Sequence, residues 1–275
     1  MKSSAIQKSY QQVRSIGSRL WTPRNLSSVI AWYSFRQYRN ATGTAEYAYD
    51  FCGQRYGTTL RQATENRRPA IAGPSSDIFP KSKHLVFSAD TAENLMADSS
   101  PADALDFGTG DFIFCCAIHV AEEAVTTNNT IMALQRAGNT EEIRIFLQSN
   151  GNLSAKFGNG TTATAGSCED GNPHIITVTR INAKLQAFVD GVGGTEQDNT
   201  IDIDNDADTV LGALTTSGAQ EFNGDLAEIC FGGTSTLGGI TQKDRLRLEG
   251  FTAHRVGISS VLADTHPYKS APPRI

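Results

Sequence analysis

A chain of 275 residues with 39% hydrophobic and 19% charged residues can fill one large core, so its length and composition fit a single large domain. The net charge of −5 gives no overall attraction to nucleic acid or to anionic membranes, and no stretch approaches the ~20 apolar residues that span a bilayer. We therefore expect neither nucleic acid nor a membrane among its partners.

The N-terminal segment is basic and has an amphipathic pattern. Residues 1–45 contain seven Lys and Arg side chains and no Asp or Glu, although the whole chain is acidic. Apolar side chains recur there at helical spacing, and with one basic residue they form the predicted anchoring set: Ile6, Tyr10, Val13, Arg14, Ile16 and Leu20. An isolated helix of this length is marginally stable, so the spacing predicts an arm, residues 1–20, that attaches to a partner. The alternatives are a solvated terminus and an organellar transit peptide.

From residue 28, short runs of β-branched and aromatic residues alternate with clusters of Gly, Asn, Asp and Ser. The predicted strands are residues 29–33, 84–87, 112–120, 130–135, 143–148, 153–157, 175–181, 184–189, 209–214 and 225–231. Asn150 and Gly151 form a strong hairpin signal between two of them. So many strands with almost no helix between them predict an all-β fold, an antiparallel β-sandwich.

Residues 36–83 are polar and rich in Arg, Gly and Pro, which predicts a long irregular segment with a short strand at residues 47–51. Its aromatic and basic side chains include Tyr38, Tyr47, Tyr49, Tyr56, Arg36, Arg39 and Arg55. Exposed, the four tyrosines would suit contact with carbohydrate or protein. Buried, they would pack the segment onto the sheet, and the sequence leaves both interpretations open.

One α-helix is predicted near the C-terminus. Thr241 suits its N-cap, Gly257 its end, and Leu246, Phe251 and Val256 can face the core. The tail at 263–273 is predicted to be extended because it is rich in proline.

The five cysteines are odd in number and contain no C-x-x-C pair, so free buried thiols are predicted. Cys115 and Cys116 are neighbours in an apolar run and should point to opposite faces of a strand.

Several motifs resemble those of one known family. Phe222 to Ile229 is similar to the pattern F-x-G-D-h-A-E-h, in which h is apolar; Leu248 to Gly257 is similar to h-E-G-Y-L-A-H-K-W-G, with Phe251 and Val256 in place of Tyr and Trp. Residues 263–273 are similar to A-D-H-P-Y-K-x-A-P-P. Over residues 21–273 the chain thus resembles the concanavalin A-like, laminin-G-like (LamG) jelly-roll domains of bacteriophage structural and tail proteins.

This resemblance implies a jelly-roll sandwich over residues 21–275 and a non-enzymatic structural protein of the virion. The protein would be a capsid decoration, a head fibre or a tail appendage, anchored by its arm, with the sandwich facing outward. We expect a homo-oligomer in contact with other virion proteins. The missing apolar core of a secretory signal and the free thiols predict synthesis in the host cytoplasm. The alternative is a carbohydrate-binding module that adheres to a host-surface glycan.

Patterns that would support catalysis are missing from the sequence. Glucanase relatives of the family pair carboxylates in an E-x-D-x-E strand, which this chain lacks, and the adjacent Glu141 and Glu142 would diverge in a strand. The histidines are scattered, so each is interpreted as a surface or hydrogen-bonded residue. We predict no enzymatic activity and no cofactor.

An acidic run is the one candidate metal site. Its alternating carboxylates, which would share one face of a strand, are Asp202, Asp204, Asp206 and Asp208. A hard cation such as Ca²⁺ would relieve their repulsion, although Ala207 and Ala213 stand where an EF-hand loop needs Gly and Glu. The favoured alternative is a solvated strand edge whose charges prevent edge-to-edge pairing.

Overall fold

The computed structural model describes residues 20–35, 43–52, 59–88, 93–97, 107–122, 125, 127–136, 140–158, 160–203, 208–215, 217 and 219–275, with the backbone alone at 95–97, 135–136, 140–142 and 208. The strands are β1 (Val29–Tyr33), β2 (Tyr47–Ala48), β3 (Leu60–Arg61), β4 (Ala70–Ala72), β5 (His84–Phe87), β6 (Leu95–Ala97), β7 (Phe112–His119), β8 (Asn129–Arg136), β9 (Thr140–Leu147), β10 (Asn152–Phe157), β11 (Thr162–Ser167), β12 (Pro173–Ile181), β13 (Lys184–Val189), β14 (Val192–Gly193), β15 (Gln197–Asp198), β16 (Asp208–Leu211) and β17 (Gly224–Gly233). The α-helix α1 is Gln242–Val256, and short 3-10 helices are Pro23–Asn25, Glu65–Arg67 and Ser259–Val261.

These strands form two antiparallel sheets. Within the described residues, one sheet has nine strands, in the order β14-β13-β12-β7-β17-β5-β4, with β1 also paired to β17 and β15 to β13. The other has eight, in the order β11-β10-β9-β8-β16-β6-β3-β2. The predicted antiparallel sandwich with one C-terminal helix is therefore confirmed, whereas residues 1–19 of the predicted arm lie outside the described residues.

The nine-stranded sheet is buried on both faces, because it lies between the eight-stranded sheet and α1. In β7, Phe112 and Phe114 point into the core between the sheets, while Ile113 points into a second core beneath α1. Cys116 and Cys115 lie in the first and second core respectively, on opposite faces as predicted. Burial in both directions explains why this strand is an unbroken apolar run.

All five cysteines are free thiols. Cys52 is half-buried and the other four are buried. Burial raises the pKa of Cys115 to about 12, so its side chain is a protonated thiol at neutral pH.

Helix α1 begins and ends at the predicted residues. The Thr241 hydroxyl accepts a hydrogen bond from the Asp244 backbone N–H, and Gly257 ends the helix in the left-handed region with φ 94°. Phe251 packs edge-on against Trp32, with ring centroids 5.4 Å apart. The prediction for Leu246 was wrong, because it is half-buried while Leu248, two positions along the helix, is fully buried. Among the residues that the structure describes, no helix is both long enough and apolar enough to cross a bilayer.

Three other expectations need correction. Six of the described strands were not predicted: β11, whose Thr, Ala and Gly residues give no strong apolar alternation, and the strands β3, β4, β6, β14 and β15, which have two or three residues each. The predicted strand at 209–214 ends at Leu211, because Gly212 turns the chain with φ 87°. The tail is built of turns rather than extended, and the N–H of His266 donates to the Ala263 carbonyl at 2.8 Å.

Candidate functional site

The segment at residues 43–52 connects the two sheets along one side of the sandwich. Thr44 bridges to Ala70 of the nine-stranded sheet, and Tyr47 pairs with Arg61 of the eight-stranded sheet. Asp50 then bridges back to Tyr33 in β1. The segment is therefore held by backbone pairing before, within and after the short strand β2.

Two tyrosines of this segment stack on the outer face of the eight-stranded sheet. Side chains alternate in an extended chain, so Ala48 is buried between the sheets while Tyr47 and Tyr49 point outward. Their ring centroids lie 5.8 Å apart and their planes differ by 18°. Tyr49 is 59% exposed, and Tyr47 stacks against one side of its ring.

Asp50 fixes the backbone that carries Tyr49. One oxygen of its carboxylate accepts hydrogen bonds from the backbone N–H of Trp32 at 2.9 Å and of Cys52 at 2.8 Å. The Phe51 N–H donates to the Trp32 carbonyl at 2.6 Å. The exposed ring is thus presented by rigid backbone, which lowers the entropy lost when a ligand stacks on it.

Three charged side chains form a connected group beside Tyr47. The Arg61 guanidinium lies over the Tyr47 ring, with 5.4 Å from Cζ to the ring centroid. The Glu46 carboxylate lies 3.7 Å from Arg61 and 3.5 Å from Arg68, measured between N and O atoms. We call these five residues, Glu46, Tyr47, Tyr49, Arg61 and Arg68, the Tyr49 platform.

Strand pairing aligns one row of residues that runs from the Tyr49 platform across the outer face of the eight-stranded sheet. In order, the row is Tyr47, Arg61, Met96, Val210, Ala133, Arg144, Lys156 and Thr162. Its centre is closed to solvent, since Val210 and Ala133 are fully buried and Arg144 is 6% exposed. Tyr47 is the aromatic residue of this row, and it lies at the platform end.

Two carboxylates of the motifs that resemble the phage family are structural. Glu228 and Glu249 have no solvent exposure. Glu228 accepts hydrogen bonds from Trp32 and Ser34, and Glu249 pairs with Arg245. A substrate in solution has no access to either carboxylate.

The five histidines contact protein groups, as predicted. The pairs are His84 and His119 with Asp225, His174 with Asp170 and Asp190, His254 with the carbonyl oxygen of Tyr268, and His266 with Glu249. Burial lowers the pKa of His84 despite the nearby Asp225. Burial also acts on His174, but the hydrogen bonds and charges of its two Asp partners outweigh it and raise the pKa.

The acidic run is only partly described. Asp202 is exposed beside Ile203, which bridges to Gly108, while Asp204 and Asp206 lie outside the described residues. The nearby positive charge is the buried guanidinium of Arg180, whose charged form Asp202 favours. Among the residues with described side chains, no three His, Cys, Asp or Glu groups are arranged to hold a metal ion. The calcium site therefore stays a prediction.

Leu20 is the one member of the predicted anchoring set that lies among the described residues. Leu20 is 59% exposed and bridges to Arg274, and the Trp21 N–H donates to the Pro273 carbonyl at 3.1 Å. The other members, Ile6, Tyr10, Val13, Arg14 and Ile16, lie outside the described residues, as do Tyr38 and Tyr56.

Sequence reasoning found Tyr47 and Tyr49 but missed the charged half of the platform. Arg61 is paired with Tyr47 by strands of two residues each, which are too short to give a periodic signal. Glu46 and Arg68 reach the platform from positions 22 residues apart, and nothing in their local sequence indicates that contact.

Comparisons with known proteins support the fold. No protein-family model matches the sequence, and no curated protein sequence matches it. The structure is similar to a Trypanosoma rangeli sialidase in complex with the inhibitor DANA, with 11% identity, a TM-score of 0.53, and coverage of 86% of this chain and 34% of the sialidase. It is also similar to the binding domain of Paraclostridial Mosquitocidal Protein 1, with 11% identity, a TM-score of 0.56, and coverage of 79% and 51% respectively.

This chain therefore spans about a third of the length of the sialidase and about half of the mosquitocidal protein's binding domain. At such low identity, the likeness establishes the fold alone. The chain shares a β-sandwich fold with these proteins.

Proposed function

We propose that this protein binds carbohydrate through the Tyr49 platform. The observation that carries the proposal is Tyr49, a residue 59% exposed whose ring stacks on Tyr47, on backbone that is paired to both sheets. One face of a pyranose ring presents C–H groups with partial positive charge, and the face of an aromatic ring is negative, so the two stack. The Glu46 carboxylate can accept hydrogen bonds from sugar hydroxyls, and the Arg61 guanidinium can donate to them.

The number of carboxylates at the platform fits a protein that binds a glycan without hydrolysing it. Glycoside hydrolysis generally needs two carboxyl groups on either side of the scissile bond. Among its five residues the platform has one, Glu46, which two arginines share. We therefore propose a non-enzymatic binding module, and the fold shared with the binding domain of Paraclostridial Mosquitocidal Protein 1 supports the binding part of that proposal.

Replacing Tyr49 with alanine is expected to weaken glycan binding by at least ~10-fold, or ~1.4 kcal/mol, without changing the thermal midpoint of unfolding. Titration calorimetry against the best ligand from a glycan array measures the loss. Leu237→Ala is the matched control, because Leu237 is 54% exposed outside the platform. Equal binding by Tyr49→Ala and wild type would refute the assignment of this site.

A second function, attachment to a virion, is favoured by the place where the arm leaves the sandwich. Leu20 and Ile275 are 59% and 63% exposed, and the adjoining Trp21 is bonded to the tail. Two apolar side chains beside the predicted arm suit contact with another subunit. The protein would be a homo-oligomeric decoration, head fibre or tail appendage of a phage, made in the host cytoplasm.

Deleting residues 1–19 is expected to abolish incorporation into particles while leaving glycan binding intact, because the platform is formed by other residues. Immunoblots of purified particles, together with glycan binding by the soluble variant, measure both properties. Normal incorporation of the truncated chain would exclude an anchoring role for the arm.

A further inference from the structure

Positive and negative groups are unequal in number at the Tyr49 platform. Arg61 and Arg68 both pair with the carboxylate of Glu46, at 3.7 and 3.5 Å. One carboxylate balances one of the two guanidinium charges. Within these contacts, the platform therefore keeps one positive charge beside the exposed tyrosine ring.

The two arginines differ in what they can offer a ligand. The side chain of Arg68 is 14% exposed, and its N–H groups donate to the backbone carbonyls of Gln62 at 2.9 Å and Ala63 at 3.1 Å. Arg68 thus holds its own segment in place. The side chain of Arg61 is 56% exposed and its ion pair with Glu46 is long. The accessible positive charge of the platform therefore belongs to Arg61.

Asp50 does not cancel this charge at the ligand-facing side. It follows Tyr49 in sequence, but its carboxylate oxygen accepts the backbone N–H groups of Trp32 and Cys52. Alternation along an extended chain directs it away from the side that carries Tyr49. Its charge serves to hold the segment against β1.

We infer that the ligand of the platform is an acidic saccharide, a conclusion that rests on the proposed glycan binding. A sugar ring stacks on Tyr49, and a carboxylate or sulfate group on the same chain pairs with Arg61. Neighbouring units of one saccharide chain can make both contacts, because the Arg61 guanidinium and the Tyr49 ring lie 5.4 and 5.8 Å from the centroid of the same Tyr47 ring and are therefore no further apart than the sum of these two distances. A guanidinium presents a planar fork of N–H donors that matches the two oxygens of such an anion.

Paired polymers with and without charge test this inference. Polygalacturonate is compared with its methyl ester for the carboxylate, and dextran sulfate with dextran for the sulfate. The proteins are the wild type, Arg61→Gln, Arg61→Lys and Tyr49→Ala. Lys243→Gln is the charge-matched control, since it removes one exposed positive charge from α1. Circular dichroism confirms that each variant is folded.

The wild type is expected to bind at least one acidic polymer about ten times more tightly than its neutral partner. The polymer pair that shows this difference tells whether the recognised group is a carboxylate or a sulfate. Arg61→Gln should remove that preference while keeping the weaker neutral binding. Arg61→Lys should retain part of the preference for the acidic polymer, and Lys243→Gln should retain all of it. Tyr49→Ala should weaken binding to both the acidic and the neutral polymer.

Equal binding of charged and neutral partners by the wild type, with no effect of Arg61→Gln, would overturn acid selectivity and leave glycan binding standing. A matching loss in Lys243→Gln would mean unspecific charge attraction and would also overturn it. No binding to any saccharide, here or on a glycan array, would overturn the proposed function itself.

Discussion

Replacing Glu228 with alanine is expected to lower the free energy of unfolding by about 3–5 kcal/mol, because a buried acceptor of three hydrogen bonds is lost and each buried donor left unpaired costs about 1–3 kcal/mol. The Glu228 side chain has no solvent exposure. Its carboxylate accepts hydrogen bonds from Trp32 Nε1 at 2.9 Å, Ser34 Oγ at 2.6 Å and Arg255 Nε at 3.3 Å. Without it, three donors lose their acceptor, and the guanidinium of Arg255 in α1 loses its counter-charge.

The backbone at Glu228 explains how a carboxylate enters this core. The pairing of β17 with β7 shifts register between Ala227 and Cys230, and Glu228 has φ 47°. A bulge of this kind redirects a side chain out of the regular alternation. It places the Glu228 carboxylate against β1 and α1, so that one residue connects the sheet, the first strand and the helix.

Urea denaturation measures the Glu228 effect. Glu196→Ala is the control, because that carboxylate is 51% exposed and 3.9 Å from Lys184, and its loss should change stability by less than ~0.5 kcal/mol. Glu228→Gln should lose less than Glu228→Ala, since the amide keeps one acceptor oxygen. A loss below ~1 kcal/mol in Glu228→Ala would show that water replaces the carboxylate and that the pair is not structurally important.

The motifs that give the sequence its family resemblance pack on one another. His266 of the tail accepts the Tyr268 N–H at Nδ1, so its Nε2–H donates to Glu249 of the helix at 3.0 Å. A Cβ at Gly250 would lie 2.4 Å from the Tyr268 side chain, so a larger residue there would displace the tail. The residues that make the fold recognisable therefore dock α1 and the tail on the nine-stranded sheet. For this reason they predicted the fold well and could not predict a ligand.

The Tyr49 platform was predicted less completely than the fold. Long strands such as β7 and β12 contain runs of apolar and β-branched residues that are long enough for their positions to be predicted. Strands β2 and β3 have two residues each, and their pairing depends on the bridges of Thr44 and Asp50 to the other sheet. The contact between Arg61 and Tyr47 is thus a consequence of tertiary structure. A single sequence predicts the tyrosines as candidates but not the charge beside them.

Arg180 is the second residue whose loss should have a large effect. It is fully buried at the end of β12, and its four hydrogen bonds go to neutral oxygens of two rim segments. The acceptors are the carbonyls of Gly110 at 2.7 Å, Gly108 at 2.7 Å and Ile201 at 2.6 Å, and the side-chain oxygen of Asn199 at 3.3 Å. Burial lowers the pKa of Arg180 to about 10, so the guanidinium stays charged at neutral pH.

Arg180→Ala is expected to destabilise the protein by at least ~3 kcal/mol, because each buried acceptor left without a donor costs about 1–3 kcal/mol. Arg180→Lys should recover little, since one ammonium group cannot reach carbonyls on both segments. Hydrogen exchange gives the local readout: the amides of Gly108 and Ile203, which bond each other's carbonyls at 3.1 and 2.9 Å, should lose protection first. Lys184→Ala, an exposed change in the same hairpin, should leave both amides protected. Full protection in Arg180→Ala would mean that the two rim segments hold together without the guanidinium, and Arg180 would then have no role in closing this end of the sandwich.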